Sequence, residues 1–86
     1  MIIKYSSNFC KRFEKLKKSN PRIKSQIDKK LKLLAVNPRY PGLRLHKIES
    51  QENSWSISVD LDLRILFVYR DYGILLVDIG THDEVY

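Results

Sequence analysis

One arginine and two histidines are the residues of this sequence best suited to chemistry. Arg64 is the only charge inside the apolar run LRILFVY, residues 63–69. A guanidinium buried there without a partner is expensive, so Arg64 must meet solvent, an acid or a phosphate. Two readings stay open. One is a salt bridge to Asp78 on a neighbouring strand; the other is a planar fork offered to two phosphate oxygens. The segment THDEVY, residues 81–86, adds His82, Asp83, Glu84 and Tyr86, side chains that can move or accept protons. His46, the other of the two histidines, lies in LRLHKI, residues 43–48. Neither histidine has carboxylates clustered at ligand spacing, and Cys10 is the single cysteine. No metal site and no cofactor is therefore expected.

These groups need elements to position them. IIKY, 2–5, reads as a short strand, and Ser6, Ser7 or Asn8 can cap a following helix. Phe9, Phe13 and Leu16 form one helical stripe, with Lys11, Arg12, Lys15, Lys17 and Lys18 on the other faces. SNP, 19–21, is a break with Pro21 at the first position of a second helix. That helix carries the stripe Ile23, Ile27, Leu31, Leu34 and ends before Pro38. Strands are expected over 43–48, 54–59, 63–69 and 74–79, with connections at 49–53, 60–62 and 70–73. The order is β-α-α-β-β-β-β, an α+β domain over 1–86. An antiparallel helix pair covers one face of a mostly antiparallel sheet of four to five strands.

Alternation sorts the strand residues onto two faces. Trp55, Ile57 and Val59 share a face with Leu63, Ile65, Phe67 and Tyr69, and this face takes the helices. Ser54, Ser56 and Ser58 point the other way with Arg64, Leu66, Val68 and Arg70. Arg44, His46 and Ile48 alternate away from Leu43, Leu45 and Lys47. Arg44, His46, Arg64 and Ser56 or Ser58 are thus expected on one uncovered surface. The 74–79 strand would deliver 81–86 to its rim, with a turn at Gly80 and with Val85 tethered in the core. Asp83 is a candidate to orient the His82 ring, against the tendency of sequence neighbours to point apart.

Charge is divided along the chain. Residues 1–47 hold 14 of the 16 Lys and Arg and only Glu14 and Asp28 as acids, a local charge of +12. Residues 48–86 hold two cations, Arg64 and Arg70, against eight acids, a local charge of −6. The basic half, extending past the helices into Arg39, Arg44 and Lys47, favours a polyanion or an acidic protein as partner. A chain of 86 residues buries only about 60% of its unfolded surface and gains from such a partner. No run approaches the roughly 20 apolar residues of a membrane span. MIIKYSSNFCKRF has no leader-like apolar core, and the lone cysteine suits a reducing compartment, so a cytoplasmic protein is expected.

The basic helical hairpin, PGLRLHKI, WSISVDLDLRILFVY and LLVDIGTHDEVY, in this order, resemble the RelE/ParE superfamily of toxins from type II toxin–antitoxin systems. The resemblance spans essentially the whole chain and is closest to the RelE and YafQ-like branch. It implies a metal-independent, ribosome-dependent messenger-RNA endonuclease that joins a 2′-OH to the adjacent phosphate as a 2′,3′-cyclic phosphate. By the same resemblance Arg64 contacts the scissile phosphate, His82 serves in acid–base chemistry, and Tyr86 sits beside the cleaved nucleotide. His46 occupies the place of a first histidine in YafQ-like toxins. Arg44, Lys47, Arg70, Lys11 and Lys15 are expected to bind RNA phosphates. The sequence departs from the family where a mid-sheet histidine is expected near 58–60, which leaves the general base unassigned. Implied partners are a cognate acidic antitoxin, in a hetero-oligomer, and the ribosome with its message. The alternative is a ParE-like toxin that inhibits DNA gyrase without nuclease activity; that branch does not need Arg64, His82 and Tyr86.

Overall fold

The computed structural model describes residues 1–85. Strand β1, Ile2–Tyr5, leads into helices α1, Ser7–Ser19, and α2, Ile23–Val36. Strands β2, His46–Lys47, β3, Ser54–Ser58, β4, Leu63–Arg70, and β5, Gly73–Thr81, follow, and a helical turn α3 covers His82–Val85. The sheet order is β1-β5-β4-β3-β2, with β1 parallel to β5 and the other neighbours antiparallel. This is the expected α+β arrangement. Among the described residues no helix is long and apolar enough to cross a membrane.

Ser6 caps α1, its hydroxyl accepting from the Phe9 N–H at 3.0 Å. The second helix starts later than expected. Asn20 takes the Arg22 N–H on its side chain and the Ile23 N–H on its carbonyl, so Pro21 and Arg22 close a turn and α2 begins at Ile23. The core forms where the helical stripes meet one sheet face. Phe9, Ile23, Ile27 and Leu34 lie against Ile57, Ile65, Phe67, Ile74, Leu76 and Ile79, all at most 1% exposed. Each such side chain contributes about 1.5–3 kcal/mol from burial.

Three local corrections matter for the site. The strand expected over 43–48 shrinks to His46–Lys47. Pro41 starts a 3₁₀ turn through Leu43, and Arg44 then takes a left-handed conformation (φ 51°) that breaks the ladder. The last hairpin is tighter than expected, with Arg70 and Gly73 already paired. Gly73 has φ 144°, and a Cβ there would lie 2.2 Å from the Ile2 carbonyl oxygen, so only glycine lets β1 close on β5. The third correction is a bulge. Leu66 pairs with Asp78 but Phe67 pairs with Leu76, which leaves Val77 over. Ile74 and Leu76 face the helices before the bulge and Ile79 does so after it. Asp78 is thereby spared the core. The Val77 carbonyl, free of the ladder, accepts from the Ser6 hydroxyl (3.2 Å) and the Asn8 amide (2.8 Å), which fastens the start of α1 to β5.

Candidate functional site

Strand pairing brings several of the expected residues onto the sheet face opposite the helices. Arg64 stands on β4 between Ser58 of β3 and Gly80 of β5. His46 pairs with Ser56, and Ser56 pairs with Leu66. The Arg64 side chain is half-buried and leans toward β3, where its Nη1 donates to the Ser56 hydroxyl at 3.4 Å. Ser56 is therefore a junction: the guanidinium reaches it from one side, and directly opposed residues such as His46 stand with Cβ atoms about 5 Å away.

This face is not uncovered, as alternation alone suggested. Ile48, Leu66 and Val85 are each at most 9% exposed, yet stand apart from the main core. The turn α3 lies on β4 and β5. A groove of about 320 Å³ is lined by His46, Ile48, Gln51 and Val85 among others. So Val85 is tethered as expected, but on the face opposite the helices. The turn that seats it also carries His82, which is exposed.

A capping box and the Arg12 guanidinium fix this turn. Thr81 and Glu84 form a capping box: the Thr81 N–H donates to Oε1 of Glu84 at 2.8 Å, and the Glu84 N–H to the Thr81 hydroxyl at 3.4 Å. Arg12 of α1 donates to both Asp78 oxygens, at 3.0 and 3.1 Å, and to Oε2 of Glu84 at 3.2 Å. The Thr81 backbone bond, then its hydroxyl and the Arg12 charge, hold the Glu84 carboxyl below the usual carboxylate range. Gly80 is not a turn residue; it is paired in β5. Its missing side chain makes room instead, because a Cβ there would lie 3.0–3.1 Å from Glu84 and 3.2 Å from Arg12.

The remaining expected residues separate. Asp78 is ion-paired with Arg12, which overturns the Arg64–Asp78 reading. Lys15 lines the small cleft beside Arg12, Gly80 and Glu84, and Lys11 is exposed elsewhere on α1. Arg44, thrown out of β2 by its left-handed backbone, lines a different cleft with Lys30, Ser58 and Asp60. Lys47 pairs with Trp55 and so alternates away from His46. Arg70 shares the parity of Arg64 but stands six residues along β4, about 20 Å away. It does not join the cluster. Tyr86 lies outside the described residues.

No family model and no curated protein sequence matches this chain. Solved structures do. YafQ from E. coli strain BL21(DE3) superposes with a TM-score of 0.81 at 20% identity, over 99% of this chain and 97% of that one. The E. coli DinJ–YafQ complex gives 0.78 at 21% identity, over 99% and 97%. The YoeB dimer from Staphylococcus aureus gives 0.79 at 15% identity, over 95% and 97%. The chain has the RelE/ParE toxin fold.

Within this RelE/ParE fold, sequence reading missed the ties that hold the last turn. A signal for them was present. Thr81-x-x-Glu84 is the capping-box pattern. Asp78, out of phase between Leu76 and Ile79, marks a bulge in an otherwise apolar strand. Nothing local could point to Arg12, one cation among many on α1, as the partner of both acids.

Proposed function

We propose that this protein is the toxin of a type II toxin–antitoxin system and a metal-independent, ribosome-dependent messenger-RNA endonuclease. The observation that carries the reading is the placement of Arg64. It stands on a central strand, on the face opposite the helices, with its guanidinium directed to Ser56 beside His46. Gly80 opposes it, and His82 follows two residues later on a pinned turn.

In this reading Arg64 holds two oxygens of the scissile phosphate. A base takes the 2′-OH proton, the 2′-oxygen bonds to phosphorus, and the P–O5′ bond breaks. An acid then protonates the leaving 5′-oxygen. His82 and His46 are the two imidazoles available for these transfers. As negative charge builds on the phosphorane, the fixed guanidinium stabilises it more than it does the ground state. Tyr86 supplies a ring to stack on the neighbouring base. Lys11, Lys15, Arg44, Lys47 and Arg70 lie outside the cluster and would contact RNA phosphates farther along the message or the ribosome.

The partner in this reading is an acidic antitoxin, complementary to the +12 charge of residues 1–47. The DinJ–YafQ and YoeB–YefM complexes, built on toxins of the same fold, support it. The protein would act in the cytoplasm as one domain.

Induction of the protein in cells, with mapping of message 5′ ends beside a gyrase supercoiling assay, tests the proposal. Cuts inside translated codons, absent from untranslated RNA, are expected. Intact message with failing supercoiling would replace the nuclease with the gyrase alternative.

A further inference from the structure

Arg12 belongs to the basic face of α1, but its surroundings set it apart from the lysines around it. It is tied to Asp78 four residues before His82 and to Glu84 two residues after it. Its own helix cannot drift, because Ser6 and Asn8 are hydrogen-bonded to the Val77 carbonyl at the β5 bulge. Strand β1 flanks β5 only as far as Leu76. Beyond that residue the edge of β5 is open to α1, and a guanidinium can reach Asp78 and Gly80, which belong to the ladder rows of Leu66 and Arg64. Gly80 leaves the space that Arg12 and Glu84 share. A lysine could not do this, since a point charge lacks the fork that spans two carboxylates.

We propose that Arg12 is a positioning residue, which bridges Asp78 and Glu84 to hold the His82-bearing turn at the rim of the Arg64 face. The role in catalysis rests on the nuclease reading above; the clasp itself does not. Without the guanidinium, the two carboxylates repel across Gly80, and the turn loses its tie to α1 while it keeps its capping box and the seat of Val85. The turn then opens more often, and His82 spends less time where it can exchange a proton.

The test uses Arg12→Met, which keeps most of the stem, Arg12→Lys, and Glu84→Gln, which keeps an oxygen for the Thr81 N–H. Amide hydrogen exchange and ribosome-dependent cleavage are measured on each. Arg12→Met should lose about tenfold in protection at Thr81 and Glu84 while β3 and β4 stay protected. Its kcat should fall by about tenfold or more with KM unchanged. Arg12→Lys and Glu84→Gln should fall between it and the parent. Unchanged protection in Arg12→Met overturns the clasp. Lost cleavage with a fully protected turn also overturns it, because Arg12 would then touch RNA directly. If Arg12→Met unfolds, Glu84→Gln decides by the same two readouts. If the parent cuts no message, the nuclease reading fails and the exchange result alone decides the clasp.

Discussion

Arg64 and Gly80 face each other across the β4–β5 ladder, and the side chain that Gly80 lacks is the space in which Glu84 and Arg12 meet. One cross-strand pair therefore holds the cation of the candidate site and the vacancy that lets the last turn close beside it. Glycine packs no side chain, and a guanidinium is costly in an otherwise apolar strand, so neither residue of the pair is there for stability.

Arg64→Ala should leave the fold intact, because the side chain is only half-buried and stands on the face opposite the main core. Cleavage should fall by hundreds-fold, the loss of about 3–4 kcal/mol that removal of one oxyanion-stabilising group produces. Arg64→Lys keeps the charge but not the fork and should recover only part of this. Circular dichroism with single-turnover cleavage checks both. A folded Arg64→Ala protein that cuts at the parental rate removes Arg64 from the site.

Gly80→Val probes the vacancy without touching any group proposed to move a proton. Its Cβ would already stand within 3.2 Å of Glu84 and Arg12, before either methyl group is placed. The turn must lift, so protection of the Thr81 amide and cleavage should fall together while the core retains its stability. Crystals or amide shifts showing α3 undisturbed would contradict the role given to Gly80.

Most of this fold was legible in the sequence, and the reasons are physical. The stripes of Ile23, Ile27, Leu31 and Leu34, and of Phe9 and Phe13, have one period and one partner, so they could be paired with a sheet face by counting. Alternation in LRLHKI, strict alternation in SWSIS and the lone charge in LRILFVY likewise placed His46, Ser56 and Arg64 on a common face. Two events defeated counting. A left-handed Arg44 carries no composition signal, since arginine is not a residue that favours it. The Val77 bulge shifts parity by one and turns Asp78 out of the core into the row of Leu66, at the open edge of β5, where Arg12 reaches it from α1. The capping box was the signal that could have shown what, besides Val85, holds the last turn.

The last turn should also show a defined response to acid. The Thr81 N–H and hydroxyl and the Arg12 charge favour the ionised Glu84 carboxyl and lower its affinity for a proton. A group depressed in this way stabilises the folded form above its unfolded value and loses that effect as pH falls through the lower, folded one. The turn should therefore stay pinned through the ordinary carboxylate range and loosen only below it. Thr81 amide shifts followed against pH would report this directly. A midpoint at or above the usual glutamate value is the contrary result, and Glu84→Gln should flatten the titration.

The two histidines offer the final discrimination. His46 stands opposite Ser56, the residue that receives the Arg64 guanidinium, on the short and exposed strand β2. His82 stands on the pinned turn beyond Gly80. If one takes the 2′-OH proton and the other returns one to the 5′-oxygen, each loss removes one limb of a bell-shaped pH–rate profile. His82→Gln and His46→Gln should then each lower kcat by about 10²–10⁴-fold, and neither should change ribosome binding. A substrate with a good leaving group at the 5′-oxygen needs no acid, so it should rescue the variant that lacks the donor and not the one that lacks the acceptor. That asymmetry assigns the roles. A His46→Gln protein that keeps both limbs of the profile would leave His82 as the sole histidine in the reaction and give the second proton transfer to another group at the rim.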